Sequence, residues 1–451
     1  MPRLPLLGAA LLLVALQPAA VALAAAPAAS VAPAPDPAFA HVWARTDELV
    51  RAHNVTRSWY WGDAPFARLQ EPFAGVASGT RLVEYYDKGR MEINNPAGDR
   101  RSPWFVTSGL LVKELISGQM AVGLTQTEAH APSTQPIVGD WTPQNPAPSY
   151  ALFGRVSSLA GDTNRAPNRV GQHAAETLDN AGRIGQSAAL GAKPGTRLGT
   201  YVEVVGHNIP DIFWNYLQAR GPYLDNRTLT SGPLIDWVYT MGYPISEPYW
   251  VQARVGASER DVLVQAFERR VLTYTPSNPA GWQVEMGNVG RHYYDWRYGT
   301  DRVGQVNPPP VAVRITSQAV KLDTRVIPTY VQDGAWQVAD YAAGWLYGTA
   351  QPGQPGNSVF AGHNNWRGEV FRYLELFHIG DTFTIYMSDG STHRYRVTEM
   401  YKLPQANADR EQQIANARYA ENTPDERVTL ITCWPYTTYT HRLIIIGHPV
   451  P

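Results

Sequence analysis

Cysteine is almost missing from this chain: Cys433 is the only one among 451 residues. No internal disulfide can form, so the single thiol is a reactive group, an intermolecular link or a buried bystander. Charge is sparse and balanced, with 38 Lys and Arg against 39 Asp and Glu. Without a basic field the chain has nothing to attract nucleic acid. Over residues 39–303 His and acidic residues never take a metal-ligand spacing such as His-Glu-x-x-His, and no metal or other cofactor is expected for the chain. Long apolar runs are absent beyond the first 29 residues, which confines membrane contact to a possible N-terminal anchor.

Aromatic residues are plentiful, with 14 Trp and 24 Tyr. They suit filled cores, or surfaces that bind sugars or peptides. Residues 1–26 have the parts of an export signal: Arg3, an apolar run over 6–16, a Gln17-Pro18 break and an Ala-rich end. They read as a cleaved signal peptide, with a retained anchor as the alternative, and predict an exported protein, extracellular or held at the cell surface. Residues 27–38 form an Ala/Pro tether.

A first β-rich unit spans 39–123 and opens with an amphipathic helix, on which Phe39, Val42, Trp43, Thr46, Leu49 and Val50 recur at helical spacing. Residues 124–199 are a loop-rich connection, and 200–303 form a second β-rich unit. The two units are self-similar. Glu71-Pro72-Phe73 matches Glu247-Pro248-Tyr249, and Tyr86-Asp87-Lys88 matches Phe267-Glu268-Arg269. Asn95-Pro96 matches Asn278-Pro279, and Trp104-x-Val106-x-x-Gly109 matches Trp282-x-Val284-x-x-Gly287. Ordered matches of this kind predict a duplicated β-rich, α+β region, packed as a pseudo-dimer or in series. Residues 304–310 (GQVNPPP) read as a stiff linker.

Residues 311–451 read as all-β, so the chain as a whole is mainly β. Strands over 381–387 and 392–400 flank an Asp389-Gly390 turn and predict a hairpin. Phe383, Ile385 and Met387 alternate with polar neighbours, so one face of that hairpin lies on a core. Residues 405–422 are polar and helical in character. Many short strands in one domain predict a barrel or a sandwich.

Three reactive residues stand at strand ends in this domain. Cys433 ends the strand ERVTLITC, ahead of Trp434-Pro435, where proline stops the ladder. His363 follows the short strand in SVFAGHNN, and Arg442 opens HRLIIIG. Strand ends can converge at one rim of a barrel. There a thiolate could attack a carbonyl, a histidine could protonate a leaving amine and a guanidinium could hold the oxyanion. Singly, each has a plainer reading: a cysteine on an apolar strand is usually a core residue, and a lone His or Arg is usually solvated.

Together these segments resemble the sortase family over 311–451. Thr429-Leu430-Ile431-Thr432-Cys433 is similar to the family's TLxTC motif, Gly362-His363-Asn364 to its GHN motif, and Arg442 has the spacing of the family arginine. Asp333-Gly334-Ala335-Trp336, Pro355-Gly356-Asn357-Ser358 and Gly380-Asp381 also resemble sortase segments. The resemblance implies an eight-stranded β-barrel, with catalytic residues His363, Cys433 and Arg442; their chain neighbours Asn364, Thr432 and Trp434 are candidate substrate-binding residues, although Trp434-Pro435-Tyr436 departs from the family's familiar continuation. The resemblance further implies a bacterial transpeptidase that forms a Cys433 thioacyl intermediate on a sorting-signal protein. The acyl group then passes to an amine of the cell wall or of another surface protein. The upstream units resemble, on Asp87-Lys88-Gly89-Arg90-Met91-Glu92 and on FERRVLTY from Phe267, an extracellular region seen beside other bacterial surface domains. That implies a spacer or scaffold, with binding of wall polymer or a partner as the alternative.

Residue order separates competing chemistries. Papain-like peptidases place Cys before His, whereas His363 precedes Cys433, and the His-Gly-Cys core of L,D-transpeptidases does not occur. A hydrolase on the same fold, with water replacing the amine, stays open. So does a surface-binding scaffold with a weakly active domain.

Overall fold

The computed structural model of the protein describes residues 30–31, 34–159, 163–299, 303–307 and 309–450. The export segment over 1–26 lies outside the described residues, as does part of the tether. Among the described residues no helix is long and apolar enough to cross a membrane.

The N-terminal region runs twice through one order of elements. Strands Ala67–Pro72, Thr80–Tyr86, Gly89–Ile93 and Thr107–Ser108 precede the helix Leu111–Ser117. Strands Tyr249–Val255, Ser258–Ala266, Val271–Tyr274 and Val284–Met286 precede the helix Val289–Tyr298. In both runs successive strands pair antiparallel. The stretch between them holds short elements, such as Thr127–Ala129, Tyr150–Phe153 and Glu176–Leu178, joined by loops.

The two runs are packed reciprocally. The amide of Lys113, on the first helix, donates to Glu268 O in the second hairpin at 3.1 Å. The amide of Gly290, on the second helix, donates to Asp87 O in the first hairpin at 3.0 Å. Each helix thus places orphan N–H groups of its first turn on the turn of the sister unit. The hairpins also meet: a Cβ on Gly89 would fall 1.8 Å from Nη1 of Arg270. Arg270 is fully buried, with its guanidinium 4.6 Å from the Trp61 ring. A shared ion network crosses the same interface. Glu71 accepts from Arg81 at 2.8 Å and from the Tyr298 hydroxyl at 2.7 Å, with Arg297 at 3.5 Å.

The C-terminal domain is a closed barrel of strands β1 (Ala312–Ser317), β2 (Leu322–Thr329), β3 (Ala343–Leu346), β4 (Gly356–Ala361), β5 (Thr382–Met387), β6 (Thr392–Pro404), β7 (Glu426–Trp434) and β8 (His441–Pro449). Their order around the barrel is β1-β2-β3-β4-β7-β8-β6-β5, and β5 closes on β1 with Ile385 opposite Ile315. Of the two architectures the strand pattern allowed, closure selects the barrel, which removes every edge. The expected hairpin is β5–β6: Asp389 Oδ1 accepts from the Ser391 amide at 2.9 Å, and Gly390 takes a φ of +86°. Phe383, Ile385, Tyr395, Val397, Val428, Leu430 and Ile445 fill the core. The helical segment over 405–422 appears as Arg410–Ala417 and lies on the surface with no buried residue.

The regions share a seam. Strands Arg220–Asp225 and Thr228–Pro233 of the N-terminal region join Val331–Gln332 and Ala335–Trp336, from the β2–β3 connection, in one four-stranded sheet.

Candidate active site

The site is assembled on β4, β7 and β8. Parallel pairing of β4 with β7 sets Ala361 beside Ile431, and the amide of Gly362 extends the ladder by donating to Ile431 O at 3.1 Å. His363 is therefore the second residue past the strand, on the same rim where β7 ends. Antiparallel pairing of β7 with β8 sets Cys433 directly opposite Arg442. Side chains of directly opposed residues share a face, and Arg442 Nη1 donates to Cys433 Sγ at 2.6 Å. Cys433 is half-buried.

Thr432 and Asn364 fasten the rim. Thr432 is 4% exposed, and its hydroxyl donates to Gly362 O at 2.7 Å, where the His363 loop leaves the sheet. Asn364 is also 4% exposed, and its Nδ2 donates to Cys433 O at 2.6 Å. The next residue, Asn365, donates to Tyr436 O. Two successive amide side chains thus tie the His363 loop to the segment after Cys433. Thr432 and Asn364 both spend their described bonds on backbone. Trp434, in contrast, is half-buried and packs against the barrel core, donating from Nε1 to Glu375 at 2.7 Å, with Lys402 Nζ 4.1 Å from its ring.

His363 keeps 22% of its side chain exposed, and its Nε2 stands 3.7 Å from Asp340 Oδ1. Its pKa is lowered, first by burial and then by Arg367, while the Asp340 carboxylate pulls it up. Asp340 is also paired with Arg367. Among the described residues no hydrogen bond joins His363 to Cys433, so the thiol's polar side-chain neighbour is Arg442. Sequence reasoning did not find Asp340 or Arg367. Neither stands in a recognisable motif, and only the fold brings the β2–β3 connection to the histidine.

A cavity of about 500 Å³ lies elsewhere, in the N-terminal region among Trp61, Trp104, Phe105, Tyr239 and Arg100. It shares no residue with this rim.

Against known proteins, the family model described as the sortase domain matches residues 315–450. The curated sortase SrtE1 of Streptomyces coelicolor is 28% identical over 145 residues, covering 31% of this chain and 36% of that protein. The chain therefore spans about a third of the length of that relative. Among solved structures, sortase C1 of Streptococcus agalactiae aligns with a TM-score of 0.25 at 22% identity, over 31% of this chain and 67% of the other. Sortase C-1 of Actinomyces oris gives 0.25 at 25%, over 31% and 73%. Sortase D5 transpeptidase of Clostridium perfringens gives 0.25 at 22%, over 31% and 79%. The matched family model covers β2 to β8 and the second half of β1, and His363, Cys433 and Arg442 lie within it, so residues 315–450 are the part of this chain that matches the sortase domain.

Proposed function

We propose that this protein is an exported cysteine transpeptidase that attaches sorting-signal proteins to amines at a bacterial cell surface. The observation that carries the reading is the cross-strand pair of Cys433 and Arg442, with a guanidinium nitrogen 2.6 Å from the sulfur. The thiolate of Cys433 attacks the scissile carbonyl carbon. A C–S bond forms while the carbonyl oxygen takes up negative charge, and Arg442, already turned toward the sulfur, is within reach of that oxyanion. Collapse breaks the C–N bond, and the leaving amine takes a proton from the His363 imidazolium. The acceptor amine then attacks the thioester and returns a proton to His363, and the amide product leaves Cys433 as thiolate.

His363 and Cys433 need not form an ion pair for this sequence, because each acts on substrate atoms. Trp434, next to Cys433 at the end of β7, offers an apolar surface for the sorting segment. Thr432 and Asn364 hold the rim in register. The test is mass spectrometry of the protein incubated with a library of sorting-type peptides, with and without a glycine oligomer. An acyl adduct on Cys433 that converts to peptide–oligoglycine conjugate is the expected result. Hydrolysed peptide alone, across several amines, would replace the transferase reading with a hydrolase.

A further inference from the structure

Strands β2 and β3 are parallel neighbours, with Val326 beside Ala343 and Thr329 beside Leu346. A parallel pair needs a crossover, and here the crossover is residues 330–342. Its root is buried in the N-terminal region. Tyr330 is fully buried and packs with Leu49 and Leu224. Its hydroxyl donates to Glu48 Oε1 at 3.4 Å. Val331 pairs with Thr228, and its amide donates to Arg227 O at 2.9 Å. Asp333 and Gly334 both take positive φ, 52° and 78°, as a tight two-residue hairpin turn requires. The far end of the same crossover reaches the catalytic rim. The Tyr341 amide donates to Arg367 O at 2.8 Å, and Asp340 stands 3.7 Å from His363 Nε2.

We propose that Asp340 is a positioning residue for His363, and that the N-terminal region holds it there through the Tyr330 seam. The upstream units then act on the chemistry through this strap, in addition to any spacer role. This deepens the transpeptidase reading, since it takes His363 to be the acid–base residue. The charged groups facing His363 are Asp340, from the crossover, and Arg367, from its own loop. Cys433 and Arg442, on β7 and β8, make no hydrogen bond or ion pair with it among the described residues. Asp340 favours the imidazolium that the leaving amine needs, and Arg367 competes for the same carboxylate. Loosening the root should therefore weaken the Asp340 contact without touching either partner.

The experiment is an NMR titration of His363 in the full chain labelled at histidine, with its signal identified by loss in His363→Gln. Asp340→Asn should move the His363 midpoint down. Leu224→Ala, at the seam, should move it in the same direction, and the double variant should move it no further than Asp340→Asn alone. If Leu224→Ala disturbs folding by circular dichroism, Leu224→Val supplies the reading. A seam variant that folds and leaves the His363 midpoint unchanged overturns the proposal, as does a double variant whose shifts simply add. Peptide turnover is followed alongside. Coupled shifts with no transfer activity in the parent protein would sink the transpeptidase reading and leave the strap standing, so the two failures are separable.

Discussion

The two regions of the molecule bury different chemistry. Inside the N-terminal region Glu71, Arg81, Arg90, Glu92 and Glu114 are all buried, interleaved with the hydroxyls of Tyr85, Tyr293 and Tyr298. Inside the barrel Ile315, Phe360, Phe383, Val428, Leu430 and Ile445 form an apolar core, and the reactive groups stand on one rim. A buried ion network adds little net stability over apolar packing, but it is costly to break, because removing one member strands the others. Such a network suits a region whose task is to join two similar halves in one register. An apolar core suits a barrel whose rim must tolerate reactive groups. Polar residues thus join two halves in one region and gather on a rim in the other.

The sharpest way to break that contrast is at the rim. Cys433→Ala should abolish adduct and conjugate formation, yet leave the thermal midpoint nearly unchanged, because the thiol is half-buried and, among the described residues, Arg442 alone bonds it. A large fall in the midpoint would mean that the rim is structural. At the interior, Glu71→Gln should destabilise the N-terminal region by about 3–5 kcal/mol in urea unfolding, since Arg81, Arg90 and Arg297 all face this carboxylate. A change below about 1 kcal/mol would show that Glu92 and Glu114 suffice to balance the arginines.

Arg442→Lys keeps the charge and loses the planar fork of donors. Turnover should fall about 10²-fold while Cys433 still reacts with iodoacetamide. The pH profile of that alkylation should be the same in His363→Ala, because no hydrogen bond links the two side chains. A profile that changed with His363 would mean the pair is coupled directly.

The smallest effect lies at the seam. Burial raises the Glu48 carboxyl to about 6 from 4.5, against the opposing pull of Arg51 and Tyr330. The folded chain therefore keeps this proton at pH values where the unfolded chain has lost it. The stability contributed is fully present below pH 4.5 and lost as pH rises through about 6. The loss amounts to about 2 kcal/mol. Glu48→Gln should flatten that part of the stability–pH curve, and an unchanged slope would assign it to another group.

Much of the barrel could be read from its residues. Asp389-Gly390 announces a hairpin, and Pro435 marks the end of β7. The spacing of Cys433 and Arg442 is that of a strand, a turn and a returning strand, which is why they face each other. Asn364 was legible as a motif member, but not as the residue that binds Cys433 O. Asp340 was not legible at all. It owes its place to a crossover whose root is fixed by Leu49 and Leu224, far upstream. The linker over 304–310 suggested a clean partition between the regions. The seam lies beyond it, at Tyr330, and a fragment starting at 311 would leave that side chain bare. In the N-terminal region the repeat could be read from matched aromatic segments, whereas the exchange of helix caps between halves depends on pairings that no local pattern encodes.

Gly89 and Arg270 follow the matched triplets Tyr86-Asp87-Lys88 and Phe267-Glu268-Arg269, and they occupy a single space, the missing side chain of one admitting the guanidinium of the other. Two glycines would leave a void beside Trp61, and two arginines would set like charges into one buried site. The halves are therefore not interchangeable at this point, for packing in one case and for charge in the other.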